Sequence, residues 1–313
     1  MAAELSQKDG DSRGVRRLLC EQIDTATKTL ERKRVSDGDI HSARKTLKKA
    51  RATLRLLRPG IPAKVYRREN ITLRDAARPL SAARDAKVLL ESLDRLEKLY
   101  GNAARPSIPA AFRRVLAREQ AASRRAIGRG NGVLAAPIPA LRASRKHIDT
   151  ARVQTDGWKE LGLGLERVYR DGRDAMKQAR RRPSAECLHE WRKQSKHLWH
   201  QLQVLEPMWP GPIGALADQA HKLSDYLGDD HDLAVLRDKV SSHSEAFAPP
   251  GGPGALLALI DRCQQRLRAK AFFAGRRIYD DKPSDFVARF ERYWRRWQNE
   301  RGEGARSLHA TPD

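Results

Sequence analysis

The sequence predicts an all-α protein of two helical bundles, about four main helices to each half, with an internal repeat. Three observations point to the helices and the repeat. Leucine and alanine recur at helical spacing along nearly the whole chain, and no sustained alternating run rich in Val, Ile and Thr marks a sheet. A basic octad occurs twice, as His41-x-x-Arg44-Lys45-x-x-Lys48 and as His189-x-x-Arg192-Lys193-x-x-Lys196. Each copy is followed by a proline at the same offset, Pro59 and Pro207.

Taken in order, the first half reads as helices over 12–34, 37–58, 72–100 with a break at Pro79, and 107–129. Ser36 or Asp37 is placed to cap the second of them, because a short oxygen-bearing side chain can satisfy the first free amides of a helix. The Gly- and Pro-rich stretch 128–139, GRGNGVLAAPIP, reads as a boundary between bundles at 12–135 and 153–301, with flexible tails at 1–11 and 302–313. The second half reads as helices over 157–182, 184–206, 212–247 with a break near Gly228, 254–273 after the PPGGPG loop, and 283–301.

On a helix turning 100° per residue, positions 0, 3, 4 and 7 share a face, so each octad presents one imidazole, one guanidinium and two ammonium groups side by side. In the first copy Arg51 and Arg55 continue the stripe, and Leu47, Ala50, Leu54 and Leu57 fill the opposite side at core spacing. In the second, Trp191, Leu198, Leu202 and Leu205 form the apolar side, while His200 and Gln203 extend the polar one. Uncompensated like charges three or four residues apart weaken a helix by about 0.2–0.5 kcal/mol per pair. A single charge run is ordinarily a solvated face. Two copies with the same residue types at the same spacing imply an anion that spans both.

A second pair of segments follows the octads in the same order. Leu80 and Ser81, then Arg84-Asp85-Ala86-Lys87-Val88-Leu89, match Leu223 and Ser224, then His231-Asp232-Leu233-Ala234-Val235-Leu236, if the later copy carries four extra residues around Tyr226 to Asp229.

With 313 residues the chain is long enough for about two domains. Its 62 Lys and Arg against 39 Asp and Glu give a net charge of +23, which attracts nucleic acid, an anionic surface or a phosphate polymer. The 3 cysteines, Cys20, Cys187 and Cys263, lie far apart and outside any CxxC spacing, so neither a disulfide framework nor a zinc site is expected. No secretory signal core and no long uncharged apolar run is present, and a cytoplasmic location without membrane insertion is expected.

Several motifs fail on inspection. The run Gly228-Asp229-Asp230-His231-Asp232 sets carboxylates beside an imidazole, but adjacent residues rarely converge on one ion, and a turn capping the next helix accounts for the acids. His189-Glu190-Trp191-Arg192-Lys193 opens like a zincin and lacks the second histidine. The glycines at 128, 130 and 132 lack the Lys-Ser or Lys-Thr of a phosphate-binding loop. No nucleophile elbow is visible. The reading is therefore of a non-enzymatic protein without metal or cofactor.

The octads, the prolines behind them and the two Asp-centred segments together resemble the CHAD family, the helical domain with a characteristic histidine. The likeness runs over roughly 12–301 and takes in the closing stretch AFFAGRRIYDDKPSDF with Tyr293-Trp294. The resemblance implies two four-helix bundles related by an internal pseudo-twofold repeat, with a basic groove or channel at their junction that binds inorganic polyphosphate, and polyphosphate granules as an expected setting. The glutamate-rich signature of the triphosphatases often fused to this domain is absent. The second half departs from the pattern at Trp199, which stands where Arg51 sits, at Glu206 in place of Arg58 and at His231 in place of Arg84, and its hold on phosphate is expected to be weaker.

For such a ligand, arginine grips two oxygens at once and lysine acts as a mobile cation. The expected binding set is then His41, Arg44, Lys45, Lys48, Arg51 and Arg55 from the first octad helix, with Arg74, Arg78, Arg84 and Arg124 beside it. The second half supplies His189, Arg192, Lys193, Lys196, His200 and, with His221, Lys222. Crowded by cations, His41 and His189 are expected to be neutral, either donating to phosphate or orienting the arginines, unless Asp85 or Asp232 offsets the field. The alternative ligand is nucleic acid bound through the same cationic surface.

Overall fold

In the computed structural model, residues 5, 12–80, 82–101, 108–129, 134–153, 157–247 and 252–307 are described, without the side chains of 82–86, 124, 126–129 and 301–307. The described residues are mostly α-helical, and none of them is in a strand. The helices are α1 (Ser12–Leu30), α2 (Asp37–Leu56), α3 (Ala63–Ala77), α4 (Ala82–Tyr100), α5 (Ala110–Arg129), α6 (Pro137–Thr150), α7 (Trp158–Arg181), α8 (Ala185–Leu205), α9 (Pro210–Ser242), α10 (Gly254–Ile278) and α11 (Pro283–Ser307).

The octads lie on α2 and α8, and both helices start and stop alike. Ser36 caps α2 in a reciprocal box: its hydroxyl accepts from the Asp39 amide at 3.1 Å, and the Asp39 carboxylate accepts from the Ser36 amide at 2.9 Å. Ser184 caps α8 by accepting from the Cys187 amide at 3.3 Å. Each helix ends in a single 3₁₀ turn holding the repeated proline, Arg58–Gly60 with Pro59 and Glu206–Met208 with Pro207. Proline has no amide to donate, so it fits the start of a turn where none is needed.

Two sequence expectations change. The stretch around 137 is the start of a helix: Pro137 opens α6, which packs on α1 and α3 and buries Leu141 and Ile148. A Gly- and Pro-rich stretch reads as a boundary, yet proline is favoured at a helix's first position. The expected break at Gly228 does not occur, since α9 runs unbroken from Pro210 to Ser242 with Gly228 buried inside it.

Helix α1 packs on α2, α2 on α3, and α3 on α6, while α8 packs between α7 and α9 and α11 lies on α7. The octad helices join these groups, for α2 packs directly on α8 and α7. One hydrophobic core therefore draws on both parts of the chain, with Leu19, Ile23, Leu47 and Leu54 in the same cluster as Tyr169, Trp191, Leu198 and Phe286. A second core joins α4 and α5 to the far ends of α9 and α10 through Leu93, Phe112, Leu236 and Ile260, with Phe112 and Phe247 ring centroids 5.1 Å apart.

One close approach fixes how α7 meets the end of α2. At Gly164 the backbone of α7 touches the Leu56 carbonyl, and a Cβ there would overlap it. A glycine is needed because backbone meets backbone and neither side can yield.

Candidate anion-binding site

The expected amphipathic split of α2 is present. Ile40, Ala43, Leu47, Ala50 and Leu54 are buried, Arg44, Lys48, Arg51 and Arg55 are half-buried, and His41 and Lys45 are exposed. On α8, Leu188, Trp191, Leu198 and Leu202 are buried, Arg192 and Lys196 half-buried, and His189 and Lys193 exposed. Where α2 meets α8, the Gln201 side chain donates to the Ala52 carbonyl at 3.2 Å. That packing sets cations of one copy against those of the other. Arg44 lies within electrostatic reach of Lys196, and Lys48 and Lys49 within reach of His200.

The arginines beyond the first octad form a continuous patch with α3. Arg51 donates to Asn70 at 3.3 Å, and Arg55 donates to the Tyr66 hydroxyl at 2.5 Å. Arg58 lies over the Tyr66 ring at 4.7 Å. Arg74 forks onto Asp75 at 2.8 and 3.1 Å, and Arg78 lies near the same carboxylate. Burial, then the neighbouring Arg55, lowers the pKa of Arg51.

The second octad is organised by α9. The His189 and His231 rings lie 4.9 Å apart. Gly228 faces Arg192, whose Nε would stand 3.7 Å from a Cβ at that position. That is ordinary van der Waals distance, so the guanidinium lies directly against this point of α9. The acids after it do not cap a turn, since they sit mid-helix: Asp229 pairs with Arg95, and Asp230 accepts from Arg268 at 2.7 Å. Asp232 lies near Arg192 and Lys196. Among the described residues no group of three or more His, Cys, Asp or Glu is placed to hold a metal ion.

Some expected residues are engaged or sunk. Lys193 pairs with Glu190 of its own helix at 2.6 Å. His200 is only 4% exposed; it bonds Gln203 at 3.1 Å and stacks on Trp199 at 4.4 Å, beneath the cations rather than among them. Trp199 also stacks on His221 at 3.9 Å, so an aromatic group occupies the place that Arg51 holds in the first copy. Lys222 is exposed on α9. The side chains of Arg84, Asp85 and Arg124 lie outside the described residues. Sequence reasoning missed Lys49, Tyr66, Asn70 and His197, whose places follow from the packing of α3 and α8 on α2.

The electrostatics share one direction. Burial, then Arg192 and Lys193, lowers the pKa of His189, and burial, then Arg192, brings His231 down to about 4. Burial holds His200 at about 3, with Lys49, Lys196 and Lys48 adding to the effect against the Gln203 hydrogen bond. Burial, then Arg55 and Arg51, drives the fully enclosed His197 well below its ordinary value. Each imidazole is discouraged from adding charge to a region already positive. The two buried histidines also make folding pH-dependent. They stay neutral in the fold and protonate in the unfolded chain, so stability is full above about pH 6.5 and falls below it, by about 1.4 kcal/mol per pH unit for each histidine until the folded value is reached. Urea midpoints measured from pH 7 to 5 should decline, and a flat profile would contradict the neutral, buried assignment.

The CHAD domain matches residues 17–241, a span that holds both octads and both Asp-centred segments. The chain belongs to the CHAD domain family. The CHAD fold recurs in solved structures of low sequence identity. PptA from Streptomyces chartreusis is similar with a TM-score of 0.62 at 13% identity, over 87% of this chain and 99% of that one. The CHAD domain from the plant Ricinus communis is similar with a TM-score of 0.53 at 14% identity, over 90% and 93%. A search among curated proteins found no match. Among the described residues no helix is long and apolar enough to cross a membrane.

Proposed function

We propose that this CHAD protein binds inorganic polyphosphate in a basic groove lined by α2, α3 and α8, without a catalytic step. The observation that carries the reading is the direct packing of the two octad helices, which brings Arg44 of one copy beside Lys196 of the other. The family's association with polyphosphate supports it. A polyphosphate chain offers charge and spacing but no bases to read, so the site needs only cations set along a path. Arg44, Arg51, Arg55 and Arg192 grip oxygens, Lys45, Lys48 and Lys196 neutralise the chain, and Arg74 and Arg78 extend the track along α3. The reading fits a cytoplasmic protein associated with polyphosphate granules.

Nucleic acid is the competing polyanion, favoured by the net charge of +23. Calorimetric titration with long-chain polyphosphate and with duplex DNA at matched charge and about 150 mM salt separates the two, because loose attraction is screened there. Tight binding of polyphosphate alone supports the proposal; equal or tighter binding of DNA replaces it with the second reading. About eight phosphate contacts predict a slope of log affinity against log salt of about −5 to −6, by analogy with single strands. A slope near zero would contradict a charge-lined groove. Incubation with polyphosphate and magnesium should release no orthophosphate, and release would make the protein an enzyme.

A further inference from the structure

Resting on the polyphosphate reading, we infer that the site takes up a proton as it takes up its anion, and that Lys196 is the acceptor. Lys196 is half-buried on α8, one turn beyond Arg192 and opposite Arg44 of α2. The acids that face it, Asp225 and Asp232, both come from α9. Asp225 is engaged by His221 at 3.5 Å. Among the described residues no carboxylate lies within ion-pair distance of Lys196, whereas Lys193, three residues earlier, has Glu190. The ammonium thus lies within electrostatic reach of two guanidiniums, partly out of water, with Asp225 and Asp232 acting on it only at longer range than an ion pair.

Burial, then Arg192, brings the Lys196 pKa down to about 8, with Arg44 acting in the same direction and Asp225 and Asp232 opposing. A phosphate oxygen lodged between Arg44, Arg192 and Lys196 supplies a counter-ion at close range and favours the charged amine. The proton comes from solvent, so the free protein, partly deprotonated at mildly alkaline pH, gains one on binding. His231 and His200 lie close by but have pKa values of about 4 and 3, so they do not titrate in the same range.

Linkage fixes the sign: affinity is full below about pH 8 and declines above it, by about tenfold between pH 7 and pH 9 when only the charged amine binds. The test is calorimetry of the full chain with long-chain polyphosphate at pH 7, 8 and 9, each in two buffers of different ionisation enthalpy. Proton uptake approaching one per site at pH 9 and near zero at pH 7 is expected. Lys196→Arg keeps the charge at every pH, so uptake should vanish and affinity should become flat over the same range. Tight binding with no uptake and equal affinity at pH 7 and 9 would overturn the inference and leave the polyphosphate reading standing. Uptake unchanged in Lys196→Arg would also overturn it. No binding at any pH would remove the reading beneath it.

Discussion

Glutamate at Arg44, Lys45 and Lys48 together is expected to abolish polyphosphate binding at physiological salt. At about 150 mM salt, counterion release makes each phosphate contact worth about fourfold in affinity, so loss of three costs about 50-fold before repulsion is counted. Three new carboxylates on the same face then repel the polymer, and the residual cations of α8 and α3 cannot offset both effects. The helix itself should persist, because Lys45 is exposed and Arg44 and Lys48 are half-buried, while the α2 core contacts run through Leu47, Ala50 and Leu54. Circular dichroism beside the binding assay separates the outcomes. Retained helicity with lost binding supports the groove, whereas collapse of the fold would mean that these cations are structural.

The largest expected effect on stability lies at Gly164→Ala. The added methyl group would meet the Leu56 carbonyl, so α7 must move away from the end of α2. Overpacking of a core typically costs about 1–3 kcal/mol, and a clash with rigid backbone belongs at the upper end. The substitution also reaches the site, since Arg55 and Arg58 lie beside that contact and within reach of Asp171 on α7. A lower thermal midpoint together with weakened polyphosphate binding is expected. An unchanged midpoint would show that the two backbones are not in contact.

Much of this arrangement was legible in the residues. The octads fell on helices because their apolar partners, Leu47 and Leu54 or Leu198 and Leu202, recur at helical spacing, and Ser36 capped the first as its chemistry allows. Pro79 lies between α3 and α4 as expected, but Pro137 and Gly228 misled. A proline at a helix start and a glycine beneath a guanidinium are both compatible with a helix, and periodicity cannot distinguish these roles from breaking ones. Within the site, the stripe on α2 could be read directly, whereas the positions of Tyr66, Asn70 and Lys49 depend on packing between helices. The burial of His200 was hidden for the same reason: it follows the octad on the polar side of α8, yet in the fold it is sunk against Trp199 and Gln203.

The mixed composition of the second core has a consequence for how the chain is made. Leu93 on α4 and Phe112 on α5 find their partners in Leu236, Val240 and Ile260, more than a hundred residues later. At about 5–20 residues per second of synthesis, α4 waits roughly 7–30 s before those partners exist. Until then its apolar face has only α5 to cover it, and contacts this distant in sequence are slow to form. Until α9 and α10 have been made, the α4–α5 pair is therefore an unfinished structure whose apolar face stays open to water.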